Sequence, residues 1–132
     1  MESFINTIIE QYEKELQEVK KTGWTLEYMK VQTPEMCLAA VSQYGMTLRF
    51  VKEQTTEICL SAIQENCYSL RFVKEQTPEC CLIAVKLCGS ALRFVKEQTY
   101  EICLAAVNQD REALHYIKDS LLKIKIKKEL SR

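Results

Sequence analysis

The sequence predicts an all-α, solenoid-like stack of four 22-residue helix-turn-helix repeats with N- and C-terminal capping helices. Three observations predict it. The octet Leu48-Arg49-Phe50-Val51-Lys52-Glu53-Gln54-Thr55 recurs unchanged at residues 70–77 and 92–99, and a looser copy stands at residues 26–33. The copies begin at Leu26, Leu48, Leu70 and Leu92, a constant interval. Each unit carries more apolar surface than it can bury alone, so it needs a neighbour on either side, as stacked repeats do. The expected organisation is a single domain over residues 1–132. It divides into an N-terminal capping helix at 1–22, four repeats over 26–113, and a basic C-terminal capping helix at 114–132.

At the N-terminus, Phe4, Ile5, Ile8, Ile9, Tyr12, Leu16 and Val19 trace one helical stripe, and Glu10, Glu13, Lys14, Lys20 and Lys21 fill the other side. Leu16 and Val19 keep register with Leu38 and Val41 of the first repeat. Within each repeat, Thr33, Thr55, Thr77 and Thr99 are helix N-caps, followed by Pro or a polar residue and then by Glu in the first turn. The helix that follows is apolar nearly all round, as in Ile58-Cys59-Leu60-Ser61-Ala62-Ile63, so it belongs in an interior. Near the helix ends, Gly45 and Gly89 suit a left-handed C-terminal cap, with Asn66 as a substitute. A second, shorter helix is expected over 46–54 and its equivalents, with Leu48 and Val51 inward. Past the last repeat, Leu114, Ile117, Leu121 and Ile124 mark a final stripe. The alternation Lys123-Ile124-Lys125-Ile126-Lys127 is read as helix, because an isolated strand has no partner.

Composition excludes several classes. Eighteen Lys+Arg balance eighteen Asp+Glu, which argues against binding by non-specific phosphate attraction. No apolar run approaches the length needed to span a bilayer, and Met1-Glu2-Ser3-Phe4 lacks the character of a signal peptide. The expectation is no membrane association and a cytoplasmic location, with reduced thiols.

The unit L-R-F-V-K-E-Q-T-x-E-I-C-L-A-A-V resembles the repeat family known as domain of unknown function 4116, over about residues 22–118. Members of that family look like tandem copies of this motif in bacterial, amoebal and large-virus proteins. The resemblance implies the repeat fold; it brings no activity, ligand or catalytic residue. The first unit departs from the pattern at Glu27 and Val31.

Candidate sites are few. Cys37, Cys59, Cys81 and Cys103 recur at one place in the repeat. Helices stack roughly 8–10 Å apart, farther than a disulfide reaches, so these cysteines are expected as core filler, and Cys80 with them. Cys67 and Cys88 fall between helices and are expected as exposed thiols. With no C-x-x-C and a single histidine, no metal or other cofactor is expected. Arg49, Arg71 and Arg93, with Lys52, Lys74 and Lys96, form rows on one surface. Glu53, Glu75 and Glu97, four residues after each Arg, are expected to pair with them within a helix. Lys123, Lys125, Lys127 and Lys128 make the C-terminal segment basic. These ten basic residues are the candidate partner-binding set.

His115 occupies the Arg slot and has no nucleophile to serve, so no catalytic residue and no enzyme is expected. The expected function is a non-enzymatic protein–protein interaction module with a protein partner. The alternative is a small phage- or virus-type inhibitor that blocks a nucleic-acid-handling enzyme through its basic surfaces. Direct nucleic-acid binding is disfavoured by the interleaved carboxylates. A homodimer through the C-terminal segment is the remaining partner expectation, since Leu121, Leu122, Ile124, Ile126 and Leu130 exceed what one cap needs. Trp24 is expected to pack the N-terminal cap.

Overall fold

The computed structural model describes residues 1–132 and is all-helical. It contains six α-helices, α1 (Glu2–Lys21), α2 (Pro34–Gln43), α3 (Thr56–Glu65), α4 (Pro78–Leu87), α5 (Tyr100–Gln109) and α6 (Ser120–Leu130). Five 3-10 helices alternate with them: η1 (Gly23–Tyr28), η2 (Gly45–Phe50), η3 (Cys67–Phe72), η4 (Gly89–Phe94) and η5 (Arg111–Tyr116). The chain therefore stacks in two parallel rows. Neighbouring α-helices pack in one row, neighbouring 3-10 helices in the other, and each of α2–α5 touches both its own 3-10 helix and the preceding one.

The α-helices start where the threonines place them. The hydroxyls of Thr33, Thr55, Thr77 and Thr99 accept from the amides of Met36, Ile58, Cys80 and Ile102, satisfying one orphan donor at each helix start. Four positions per helix then face the core. In α3 they are Ile58, Cys59, Ala62 and Ile63, and the equivalent residues of α2, α4 and α5 are likewise buried. Ala40, Ala62, Ala84 and Ala106 are fully buried. With only a methyl group at that position, each helix can approach the next row closely.

The second half of each repeat differs from expectation. In place of a helix over 46–54 there is a six-residue 3-10 helix, ended by an extended residue such as Val51. Its buried positions include Gly45, Leu48 and Val51, one every third residue, and the same slots are buried at Cys67, Leu70 and Val73 and at Gly89, Leu92 and Val95. A 3-10 helix has three residues per turn, so this spacing makes one straight buried edge. An α-helix would rotate the third position away.

The helix ends are also corrected. No residue has positive φ, and the residues that terminate α2–α5 (Tyr44, Asn66, Cys88, Asp110) are extended. Gly45 and Gly89 are thus not left-handed caps. They are the first residues of η2 and η4, and they are there for space. A Cβ on Gly45 would collide with the Ala62 carbonyl and lie 2.6 Å from Ser69 Oγ; one on Gly89 would collide with the Ala106 carbonyl.

Both ends depart from the stripes read in the sequence. Only Leu16 and Val19 of α1 are buried; Phe4 is 69% exposed, and Ile5, Ile8 and Ile9 are exposed too. The last turns of α1 stand in as a half-repeat ahead of η1, and its first turns reach beyond the stack. The C-terminal segment is not one helix over 114–132. Residues 111–116 complete a fifth 3-10 helix, and α6 begins only at Ser120. Asp119 caps it by accepting from the amides of Leu121 and Leu122, two residues earlier than the repeat's threonine would. That shift turns Ile126 fully inward and leaves Leu121 78% and Ile124 51% exposed. The Lys-Ile alternation is helical, as expected.

Candidate functional site: a basic–aromatic row

The row rests on a clamp between repeats that the sequence reading passed over. Gln54 is half-buried at the end of its repeat. Its Nε2 donates to the Phe72 carbonyl at 2.8 Å, while its Oε1 accepts from the Lys74 amide at 2.9 Å. Gln32, Gln76 and Gln98 make the same pair of bonds to the equivalent backbone groups of the next repeat. One primary amide thus satisfies both backbone groups on either side of the extended residue that ends the next 3-10 helix. The signal was present as a glutamine in every octet. A primary amide carries donors and an acceptor on one side-chain end, side by side, as the two backbone groups require.

This clamp fixes where Arg49, Arg71 and Arg93 stand, since each directly precedes the Phe whose carbonyl is held. Arg49 Cζ lies 5.3 Å from the Phe50 ring centroid and 5.6 Å from that of Phe72. Arg71 is held at 5.2 and 5.3 Å from Phe72 and Phe94, and Arg93 at 5.3 and 5.4 Å from Phe94 and Tyr116. Guanidinium and ring therefore alternate along one face, each cation drawn to two negative ring faces. Trp24 and Tyr68 flank the row with edge-on contacts to Phe50 and Phe94. Trp24 also lies against Tyr44, so its ring packs on the first repeat.

The expected arginine–glutamate pairs do not form. The ion pairs of the molecule are Lys20–Glu35 and Arg132–Glu129, and His115 Nε2 lies 3.2 Å from a Glu112 carboxylate oxygen. Because the 3-10 helix stops at Phe50, Glu53 is no longer one helical turn beyond Arg49. The lysine rows are engaged differently again. Lys52, Lys74 and Lys96 donate through Nζ to the carbonyls of Lys30, Lys52 and Lys74, at 3.4, 2.9 and 3.4 Å. Of the basic tail, Lys123, Lys125, Lys127 and Lys128 lie on α6, a different element from the arginine row, and Lys125 Nζ sits 4.6 Å from the centre of the Tyr100 ring.

The cysteines divide into two groups. Cys37, Cys59, Cys80, Cys81 and Cys103 are free and buried. Burial pushes the thiols of Cys81 and Cys103 up to about 11, and those of Cys37 and Cys59 upward as well. Such thiols stay protonated and unreactive at neutral pH. Cys67 and Cys88, by contrast, are joined in a disulfide with Cα atoms 6.1 Å apart. The expectation of two exposed, reduced thiols is thereby overturned. Cys67 takes the slot of Gly45 and Gly89, and its bridge replaces a hydrogen bond. The Gly45 and Gly89 amides donate to Glu65 and Gln109 of the following repeat, but the corresponding residue after Cys67 is Leu87, which has no acceptor.

Residues 77–122 match the family model described as Domain of unknown function (DUF4116). The resemblance read from the repeat unit holds over that stretch. It takes in α4, η4, α5 and η5, two copies of the motif, and so includes Arg93 and Lys96 of the row. No curated protein and no solved structure matches the chain. No helix is long and apolar enough to cross a membrane.

Proposed function

We propose that this chain is a non-enzymatic protein–protein interaction module whose working surface is the row formed by Arg49, Arg71 and Arg93. One observation carries the reading. Three exposed guanidinium groups are held in line between aromatic rings, and no carboxylate of the protein pairs with them. Charge left unpaired but already ordered costs little more entropy when a partner arrives. A cytoplasmic setting belongs to the same proposal, and there the Cys67–Cys88 bridge would be kept reduced.

The test is affinity capture from the native host with the wild type and with the Arg49→Gln/Arg71→Gln/Arg93→Gln variant, at low and high salt. A partner held at low salt, released by salt and absent from the variant is the expected result. A partner retained equally by the variant would place the binding face elsewhere. Self-association is a second reading, favoured by the exposed Leu121 and Ile124 on α6. Sedimentation over rising concentration, with Leu121→Glu as the control, checks it.

A further inference from the structure

We infer that the arginine row recognises an acidic segment in the polyproline II conformation, with a carboxylate at every third residue. The inference rests on the interaction-module reading and narrows it to one kind of partner. Neighbouring guanidinium groups share a ring. Arg49 and Arg71 lie 5.6 and 5.2 Å from the Phe72 centroid, and Arg71 and Arg93 both lie 5.3 Å from that of Phe94. The shared ring keeps neighbours within about 11 Å of each other, and stacked helical repeats are spaced by roughly 8–10 Å.

A ligand must bring carboxylates to one side at that interval. A polyproline II helix has three residues per turn and rises about 3.1 Å per residue, so every third side chain returns to the same side after roughly 9.3 Å. A β-strand returns to the same face after about 7 or 13 Å and misses the spacing. An α-helix returns to the same side after one turn, about 5.4 Å, and after two, roughly 10.8 Å, neither of which falls within that range. The half-buried Phe50, Phe72 and Phe94 between the arginines suit such a chain as well, because proline rings dock against aromatic ridges. Arginine binds a carboxylate through two parallel N–H bonds, which rewards register as well as charge. An unbroken polyanion fits less well, since each repeat also exposes a glutamate (Glu53, Glu75, Glu97).

The experiment is fluorescence anisotropy on the full chain with labelled probes. These are a twelve-residue peptide of four Pro-Pro-Glu triplets, a peptide of equal composition with its glutamates clustered, a helix-forming peptide with Glu at every seventh position, and a single-stranded oligonucleotide. The triplet peptide is expected to bind at least tenfold tighter than each of the others. Arg71→Gln should weaken it about threefold and the triple variant roughly thirtyfold, as for a set of exposed ion pairs. Arg71→Lys should also weaken it, because an ammonium has no planar fork to grip a carboxylate through two bonds. Circular dichroism of each variant confirms that the stack is intact. Equal binding of the clustered peptide, tighter binding of the seven-spaced peptide or the oligonucleotide, or an unaffected triple variant would overturn the inference. If host capture depends on the row while the triplet peptide fails to bind, the interaction-module reading stands and this inference falls. If the peptide binds through the row while capture ignores it, the inference stands and the wider reading falls.

Discussion

Replacing Gln76 by alanine tests the clamp that joins the repeats. In the structure, Gln76 Nε2 donates to the Phe94 carbonyl at 2.9 Å and to the Leu70 carbonyl at 3.2 Å, and Oε1 accepts from the Lys96 amide at 3.0 Å. Alanine removes these three bonds, together with the weaker one that Gln76 Oε1 accepts from Cys81 Sγ at 3.6 Å, and strands a carbonyl and an amide in the next repeat. At roughly 1 kcal/mol net for each bond, the loss is about 2–3 kcal/mol, a substantial share of the roughly 5–15 kcal/mol typical of a domain. Urea denaturation measures it directly. Because stacked repeats are coupled only through such interfaces, the transition should also broaden, with a lower m-value. Gln76→Glu separates hydrogen bonding from packing. It keeps the acceptor for Lys96 but sets a carboxylate oxygen against two carbonyls, so near neutral pH it should cost about 1 kcal/mol more than alanine. That placement raises the folded-state carboxyl pKa. The extra penalty is therefore full above the raised folded-state value, shrinks as pH falls from there towards the unfolded value near 4.3, and is absent below it. The clamp is refuted if Gln76→Ala stays within about 0.5 kcal/mol of wild type, the range of an ordinary surface substitution. A glutamate variant no worse than alanine at neutral pH would refute it equally.

Four further outcomes follow from the same geometry. Gly45→Ala should cost about 1–3 kcal/mol by overpacking. Gly23→Ala, whose added Cβ would sit 3.1 Å from Ala40, should cost less; parallel denaturation curves with similar midpoints would argue against the close-approach role. The five buried thiols should resist a thiol reagent at about pH 8 until the protein is unfolded. Since the folded pKa values of Cys81 and Cys103 lie above the unfolded ones, stability should fall as pH rises from about 8.5 towards 11, which a pH series of thermal melts would show. Reducing the Cys67–Cys88 bridge, which spans 21 residues, should destabilise the middle of the stack by about 3 kcal/mol. Intact mass with and without reductant and alkylation checks that the bridge exists, and an unchanged midpoint after reduction would show that it contributes nothing.

Much of the architecture was legible because repetition multiplies weak signals. One threonine before a helix is a modest cue, but four at a constant offset are not, and all four cap. The identity of the core cysteines followed from the same logic. The errors came from position-specific physics. Leu48 and Val51, three apart, fit an α-helix and a 3-10 helix equally well, and only Gly45 at the preceding slot shows that the period is three. Glycine after a helix suggests a left-handed turn on general grounds, whereas here it answers to the Ala62 carbonyl of the next repeat. Cys67 and Cys88 are separated by 21 residues, one short of the repeat, so each thiol faces the adjacent slot of its neighbour and not the equivalent one. The helix spacing that keeps the core cysteines apart does not apply to that diagonal. At the C-terminus, Asp119 captures the helix start two residues early, and the stripe Leu121–Ile124 rotates outward in favour of Ile126.

The arginine row shows how a mistaken local reading changes the functional one. Had residues 46–54 formed an α-helix, Arg49 and Glu53 would share a face and neutralise each other, and the surface would be a solvated ion-pair network of little use for recognition. Ending the 3-10 helix at Phe50 separates the two charges and frees the guanidinium to lie between Phe50 and Phe72. The glutamine clamp then makes that break permanent, because Gln32 of the preceding repeat occupies the backbone groups on either side of Val51 that a continuing helix would need. The same repeat translation that closes the core therefore also copies one unpaired cation per unit onto the surface at a fixed interval. A surface built by translation discriminates by period: a ligand gains a second and third contact only if its own chemistry repeats at the same distance. That is why the spacing of acidic groups, more than their number, should decide what this protein binds.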